Sequence, residues 1–159
     1  MSGELISSLA GKVPQRAIRH LSSLPYVASY HLSEDVTTIP GVDFGAGDEA
    51  FVIATPATLR AKPLEVAIYK ITETFNSTTT QARVDIGDGS DADEFALTDD
   101  FNDNASTAPI CFTAHEGSLQ VGDTEIIQPD DIVTVTCVAP TGGTPAGRAM
   151  VSVSFLYFE

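Results

Sequence analysis

An all-β fold, an antiparallel β-sandwich or jelly roll with a short, partly helical N-terminal arm, is what this 159-residue sequence predicts. From residue 50 onward the apolar residues recur with period two in short runs rich in Val, Ile, Thr and aromatics, the pattern of strands with one face buried. Between those runs lie stretches of Gly, Pro, Asn and Asp, with no helical pattern of about 10–15 residues. Charge separates the beginning of the chain from the rest. Residues 1–33 hold Lys12, Arg16 and Arg19 against Glu4 alone, whereas the whole chain has 8 Lys+Arg and 22 Asp+Glu. We divide the chain into an arm and linker over residues 1–45 and a β-sandwich domain over residues 46–159.

In the arm, Pro14 suits the first turn of a helix, and "QRAIRHLSSL" sets Ala17, Ile18 and Leu21 on one side before Pro25 ends it. So short a helix is marginal in water unless its apolar stripe packs on something. Two destinations are open: its own domain, or a neighbouring subunit, with Arg16, Ile18, Arg19 and Leu21 as the contact residues. The strands follow as "AFVIAT", "PLEVAIYKITETF", "ARVDIG", "APICFTA", "SLQV", "TEII", "DIVTVTCVA" and "RAMVSVSFLYF". In the last, Val151, Val153, Phe155 and Tyr157 face one side and Ser152 and Ser154 the other; Val133, Val135 and Cys137 alternate with threonines in the same way. Regular strand spacing of this kind predicts two antiparallel sheets over one core.

Composition excludes several functions. The formal charge of −14 repels phosphate backbones and anionic membrane surfaces, so neither nucleic acid nor membrane is an expected partner. No apolar run approaches the roughly 20 residues of a membrane span, and "MSGELISSLAGKVPQR" lacks the basic start and apolar stretch of a signal peptide, so folding in a cytoplasm is expected. Cys111 and Cys137 have no metal spacing and sit in β-prone runs, where buried free thiols are expected.

The stretch "VDIGDGSDADEF" concentrates Asp85, Asp88, Asp91, Asp93 and Glu94 around two glycines. An EF-hand loop requires Asp-x-Asp-x-Asp-Gly and a Glu six residues after that glycine. Neither Asp85 nor Asp91 begins such a pattern, so Asp85, Asp88, Asp91 and Asp93 are weak metal candidates and no metal site is expected. A catalytic carboxylate pair would need a cleft and a raised pKa, whereas these acids lie among turn residues. The simpler reading is a Gly-Asp connection in which Gly87 and Gly89 permit positive φ and the aspartates bond their own backbone. His115 beside Glu116 in "TAHEGS" reads as a turn, and His20, His31 and His115 have no metal spacing. Asn76-Ser77-Thr78 and Asn104-Ala105-Ser106 match the glycosylation sequon, which has no consequence without secretion. No catalytic residue and no cofactor is expected.

The run "PLEVAIYKITETFNSTTTQARVDIGDGSDADEF", with "PAGRAMVSVSFLYFE" at the end, resembles small β-sandwich virion proteins of tailed bacteriophages. In those, a strand ending in "TE-F" leads through a short turn to an "IGDGSD"-type loop. The resemblance covers about residues 45–159 and leaves out the arm. It implies a structural, non-enzymatic protein of the capsid decoration (cement) type, bound to the major capsid protein at the outer surface of the head. It also implies a virion location after assembly in the host cytoplasm, and a homo-oligomer with a trimer favoured. The alternatives are a tail or head-tail connector protein, or a small glycan-binding or calcium-dependent adhesion module.

Overall fold

The computed structural model describes residues 25–32, 41–101, 107–122 and 124–159. Among them there are ten strands and no helix: β1 (Tyr26–Leu32), β2 (Val42–Asp43), β3 (Glu49–Ala54), β4 (Arg60–Asn76), β5 (Arg83–Gly87), β6 (Ala96–Thr98), β7 (Ile110–Thr113), β8 (Leu119–Val121), β9 (Ile132–Val138) and β10 (Ala146–Phe158). They form two antiparallel sheets. One runs β1-β10-β4-β7 with β2 also paired to β10; the other runs β3-β9-β5-β6-β8. The expected all-β architecture is therefore present. The helical part of the arm, with Arg16, Ile18, Arg19 and Leu21, lies outside the described residues.

Both sheets bury one face in the same core. β10 contributes Val151, Val153, Phe155 and Tyr157, and β9 contributes Val133, Val135 and Cys137, all at most 1% exposed. These are the positions that the period of two marks. The serine face of β10 is more covered than a half-buried strand would be, because β10 is flanked by β1 and β4 and Ser29 Oγ lies 2.8 Å from Ser154 Oγ. Four phenylalanines join the layers: Phe75 of β4 meets Phe44 and Phe101 edge-on at 5.1 and 4.9 Å, and Phe101 lies 5.5 Å from Phe112 of β7. Such pairs add about 0.5–1.5 kcal/mol each beyond area burial.

At 17 residues β4 is too long to stay straight in a twisted sheet, and its pairing with β10 shifts register in three places. One shift falls beside Lys70, whose φ of +47° marks a bulge. Bulges bend a strand and increase its twist, so β4 can curl along the layer. Near its end, Phe75 lies against Gly147, where a Cβ would come within 2.4 Å of Phe75 Cδ1. Glycine there lets the ring rest directly on the β10 backbone.

The start of the sandwich differs from the sequence reading. Residues 26–32 and 42–44 were counted with the arm and linker of 1–45, yet Tyr26–Leu32 pairs with β10 along its whole length, and Val42 and Phe44 are fully buried. In Tyr26, Ala28, Tyr30 and Leu32 the period of two was present, but it lies just after a helical pattern and contains little β-branching. "TEII" makes only an isolated bridge, Ile127 to Ala61, because Pro129 and two aspartates turn the chain straight after it. Cys111 corrects a second expectation. Both cysteines are free, but Cys111 is exposed, since the strand alternation of β7 turns Phe112 inward and its neighbour outward. Cys137 is buried, and desolvation pushes its thiol pKa far up, leaving it unreactive.

Candidate functional site

The acidic stretch begins on a strand and ends in a clamped loop. Asp85 is part of β5, only 2% exposed, with Arg83 Nε donating to Oδ1 at 2.9 Å. Burial raises its pKa and the Arg83 hydrogen bond opposes that rise, while Asp93 and Asp100 add to it. After Gly87 the chain turns on Asp88, whose carboxylate accepts from the backbone N–H of Ser90 and of Asp91, both at 2.8 Å, and from Ser90 Oγ. These hydrogen bonds hold the Asp88 pKa below its ordinary value. Gly89 has the positive φ expected of it, +90°.

Gly87 serves a different purpose from the one its sequence position suggested. Its φ is not among the positive ones; instead a Cβ there would lie 1.8 Å from the Asp91 carbonyl oxygen. The loop is folded directly onto the strand that precedes it. Gly122 repeats the device from the other side, since its Cβ would lie 2.0 Å from the Asp93 carbonyl. Thr124 N donates to Glu94 O at 2.8 Å, Thr124 Oγ1 donates to the Glu94 carboxylate, and Gly122 N donates to Phe95 O at 3.0 Å. Both glycines are required by close approach of two backbones.

The fold also brings in acids remote in sequence. Asp88 and Glu94 share an open cleft of about 420 Å³ with Asp130 and Asp131 from the turn before β9, and with Ile126 and Ile132. The sequence reading treated "QPDD" only as a turn; nothing in its spacing placed it beside "GDGSD". The acids are engaged locally rather than converging. Asp131 Oδ2 accepts from Gln128 N at 2.8 Å, Asp88 holds its own turn, and Asp85 faces Arg83. Among the described residues no three His, Cys, Asp or Glu side chains are placed to hold a metal ion. His115 and Glu116 lie in an exposed turn after β7, where Glu116 N donates to Thr113 Oγ1 at 3.2 Å and Gly117 has φ +76°.

Two pH responses follow. The stabilising hydrogen bonds of ionised Asp88 are fully present above an ordinary carboxylate pKa and are lost as pH falls through its depressed value. Asp85 runs the other way: its folded pKa is raised, so acidification relieves the penalty of burying its charge. Asp85→Asn should therefore flatten the stability profile just above the ordinary aspartate pKa, and Asp88→Asn should flatten it just below that pKa, both read by Tm across acidic pH.

Of the other acids of the loop, Asp91 is exposed and Asp93 and Glu94 are half-buried, and none accepts two backbone N–H groups as Asp88 does. Changing Asp91, Asp93 and Glu94 to Asn, Asn and Gln is expected to shift Tm by no more than about 2 °C, the usual scale of surface substitutions. Millimolar calcium should leave the wild-type Tm unchanged. A calcium-dependent rise lost in the triple variant would make the loop a cation site.

No protein-family model matches this chain, and no curated protein matches it. Among solved structures it is similar to a chain of the cyanophage Pam1 capsid asymmetric unit, with a TM-score of 0.39 and 16% identity over 86% of this chain and 84% of that one.

Proposed function

We propose that this chain is a bacteriophage capsid decoration protein: a jelly roll that binds the outer surface of the head, bridges adjacent major-capsid subunits and adds buried interface to a shell under internal pressure. The observation that carries the reading is the nesting of strand pairs. Leaving out the short β2 and β8, the first strand pairs with the last, β3 with β9, β4 with β7, and β5 with β6, the pairs falling alternately in the two sheets. Nested pairs that alternate between two sheets fit a jelly-roll connection, a fold that recurs in viral capsid and lectin domains. Fold does not fix function. What adds to it is the resemblance, whose first run occupies β4, β5 and the acidic loop and whose second occupies β10. An acidic outer rim fits the role, because it keeps particles from clumping and repels free nucleic acid.

Binding, with no bond made or broken, is the mechanism. The basic residues 1–24 supply the contact to the capsid: Ile18 and Leu21, if buried there, are worth about 1.5–3 kcal/mol each, against roughly 0–1 for exposed Arg16 or Arg19. Deleting residues 1–24 should leave the β-sheet signal and the cooperative thermal unfolding of the domain intact and weaken attachment to heads. The cut must stop before Tyr26, because β1 belongs to the sheet. As a test of the reading itself, adding the protein to heads that lack it should raise the temperature at which they release DNA. Unchanged release, together with a calcium-dependent glycan-array signal, would favour the adhesion module. The resemblance favours a trimer.

A further inference from the structure

We infer that two copies of this chain associate through their β1 strands, antiparallel about Ser29, into a two-fold dimer with one continuous sheet across both subunits. This is independent of the capsid reading. β1 is an edge strand: β10 pairs with one side of it, and no described residue pairs with the other. Exposed edges are normally blunted by charge, proline, a bulge or shortness. β1 has none of these. Its seven residues, "YVASYHL", contain no Asp, Glu, Lys, Arg or Pro, and its register with β10 runs from Tyr26↔Tyr157 to Leu32↔Val151 without a shift. Of the other edges, β7 has four residues and β8 three, and β3 carries the charge of Glu49 at its start.

The occupant that fits this edge is a second copy, and charge confines such a contact to β1. Chains of net charge −14 repel wherever acids meet, so self-association requires a surface without them, and β1 supplies one. The strand is also complementary to itself. Pairing about Ser29 places Tyr26 opposite the partner's Leu32 and Ala28 opposite the partner's Tyr30, apolar with apolar and small with large. On the outer face Val27 meets the partner's His31, and Ser29 meets its own equivalent. Tyr26 and Val27, 36% and 57% exposed in the single chain, would be covered. A two-fold contact of this kind repeats each pair symmetrically and closes after two copies. At ~3.3 Å per residue the paired segment is about 23 Å long, a short contact that should dissociate on dilution.

Sedimentation equilibrium on the full chain tests this. The mass should rise with concentration from 16.8 kDa towards twice that value. Ser29→Lys sets two ammonium groups face to face at the axis and should weaken the dimer roughly tenfold or more, whereas Val52→Lys, on the exposed face of β3, should leave it unchanged. Opposite residues in antiparallel strands have Cα atoms about 4.5–5.5 Å apart, within disulfide reach. Ser29→Cys in a Cys111→Ser background should thus oxidise to a covalent dimer with an unchanged circular dichroism spectrum. A monomer at every concentration, a trimer, or a dimer indifferent to Ser29→Lys would overturn the inference. None of these outcomes bears on head binding, which is measured separately.

Discussion

Phe75→Ala is expected to cost about 3–5 kcal/mol and lower Tm by roughly 10 °C or more. Phe75 is 1% exposed and touches Phe44 and Phe101, and through Phe101 the cluster reaches Phe112 of β7. Removing the ring leaves a cavity bounded on one side by the backbone at Gly147, which cannot collapse inward because β10 is held there by Phe44 N donating to Gly147 O at 2.8 Å. A natural domain holds only about 5–15 kcal/mol in all, so the loss approaches the stability of a marginal one. Phe75→Leu, which keeps most of the volume, should cost less than about 1.5 kcal/mol. Thermal melts of both variants check this; an alanine variant melting within 2–3 °C of wild type would mean that the ring cluster does not join the sheets.

Gly87→Ala should be the more damaging of the two loop glycine substitutions, at about 1–3 kcal/mol or more. The added methyl would lie 1.8 Å from the Asp91 carbonyl and 2.6 Å from the backbone of Ala92, and neither can be moved by changing a side-chain rotamer. The whole loop must lift. That would sever the hydrogen bonds from Asp88 N to Asp91 O and from Phe95 N to Ile86 O. Gly89→Ala meets only Thr134 Oγ1 at 3.2 Å and carries chiefly the cost of a positive φ, of order 1 kcal/mol. The order of Tm values should be the amide triple variant, then Gly89→Ala, then Gly87→Ala. If the amide triple variant proved the least stable, charge and not backbone approach would govern the loop.

The alternating segments were legible because each side chain's fate there depends on one bit, inward or outward, that the period of two records directly. β9 and the end of β10 show it best: every residue expected inward is buried. β6 was missed because its three residues lie directly between the acidic loop and the Asp- and Asn-rich stretch from residue 99 onward, with no break of their own. β1 was missed because a period of two following a helical pattern was assigned to the linker. The cleft was invisible for a different reason. Its acids come from turns about 40 residues apart, and only the pairing of β5 with β9 brings them to one end of the sheet. Likewise Gly87 announced itself as a glycine of the turn, but its close approach to Asp91 is a property of the folded loop.

Co-sedimentation with expanded heads from the same source tests the central claim most directly. Decoration predicts saturable binding of the 16.8 kDa chain to expanded heads, weaker binding to unexpanded ones whose subunits are differently spaced, and loss of affinity when residues 1–24 are removed. A chain that stays in the supernatant with heads but sediments with purified tails, or only with glycan-bearing beads in calcium, would contradict it.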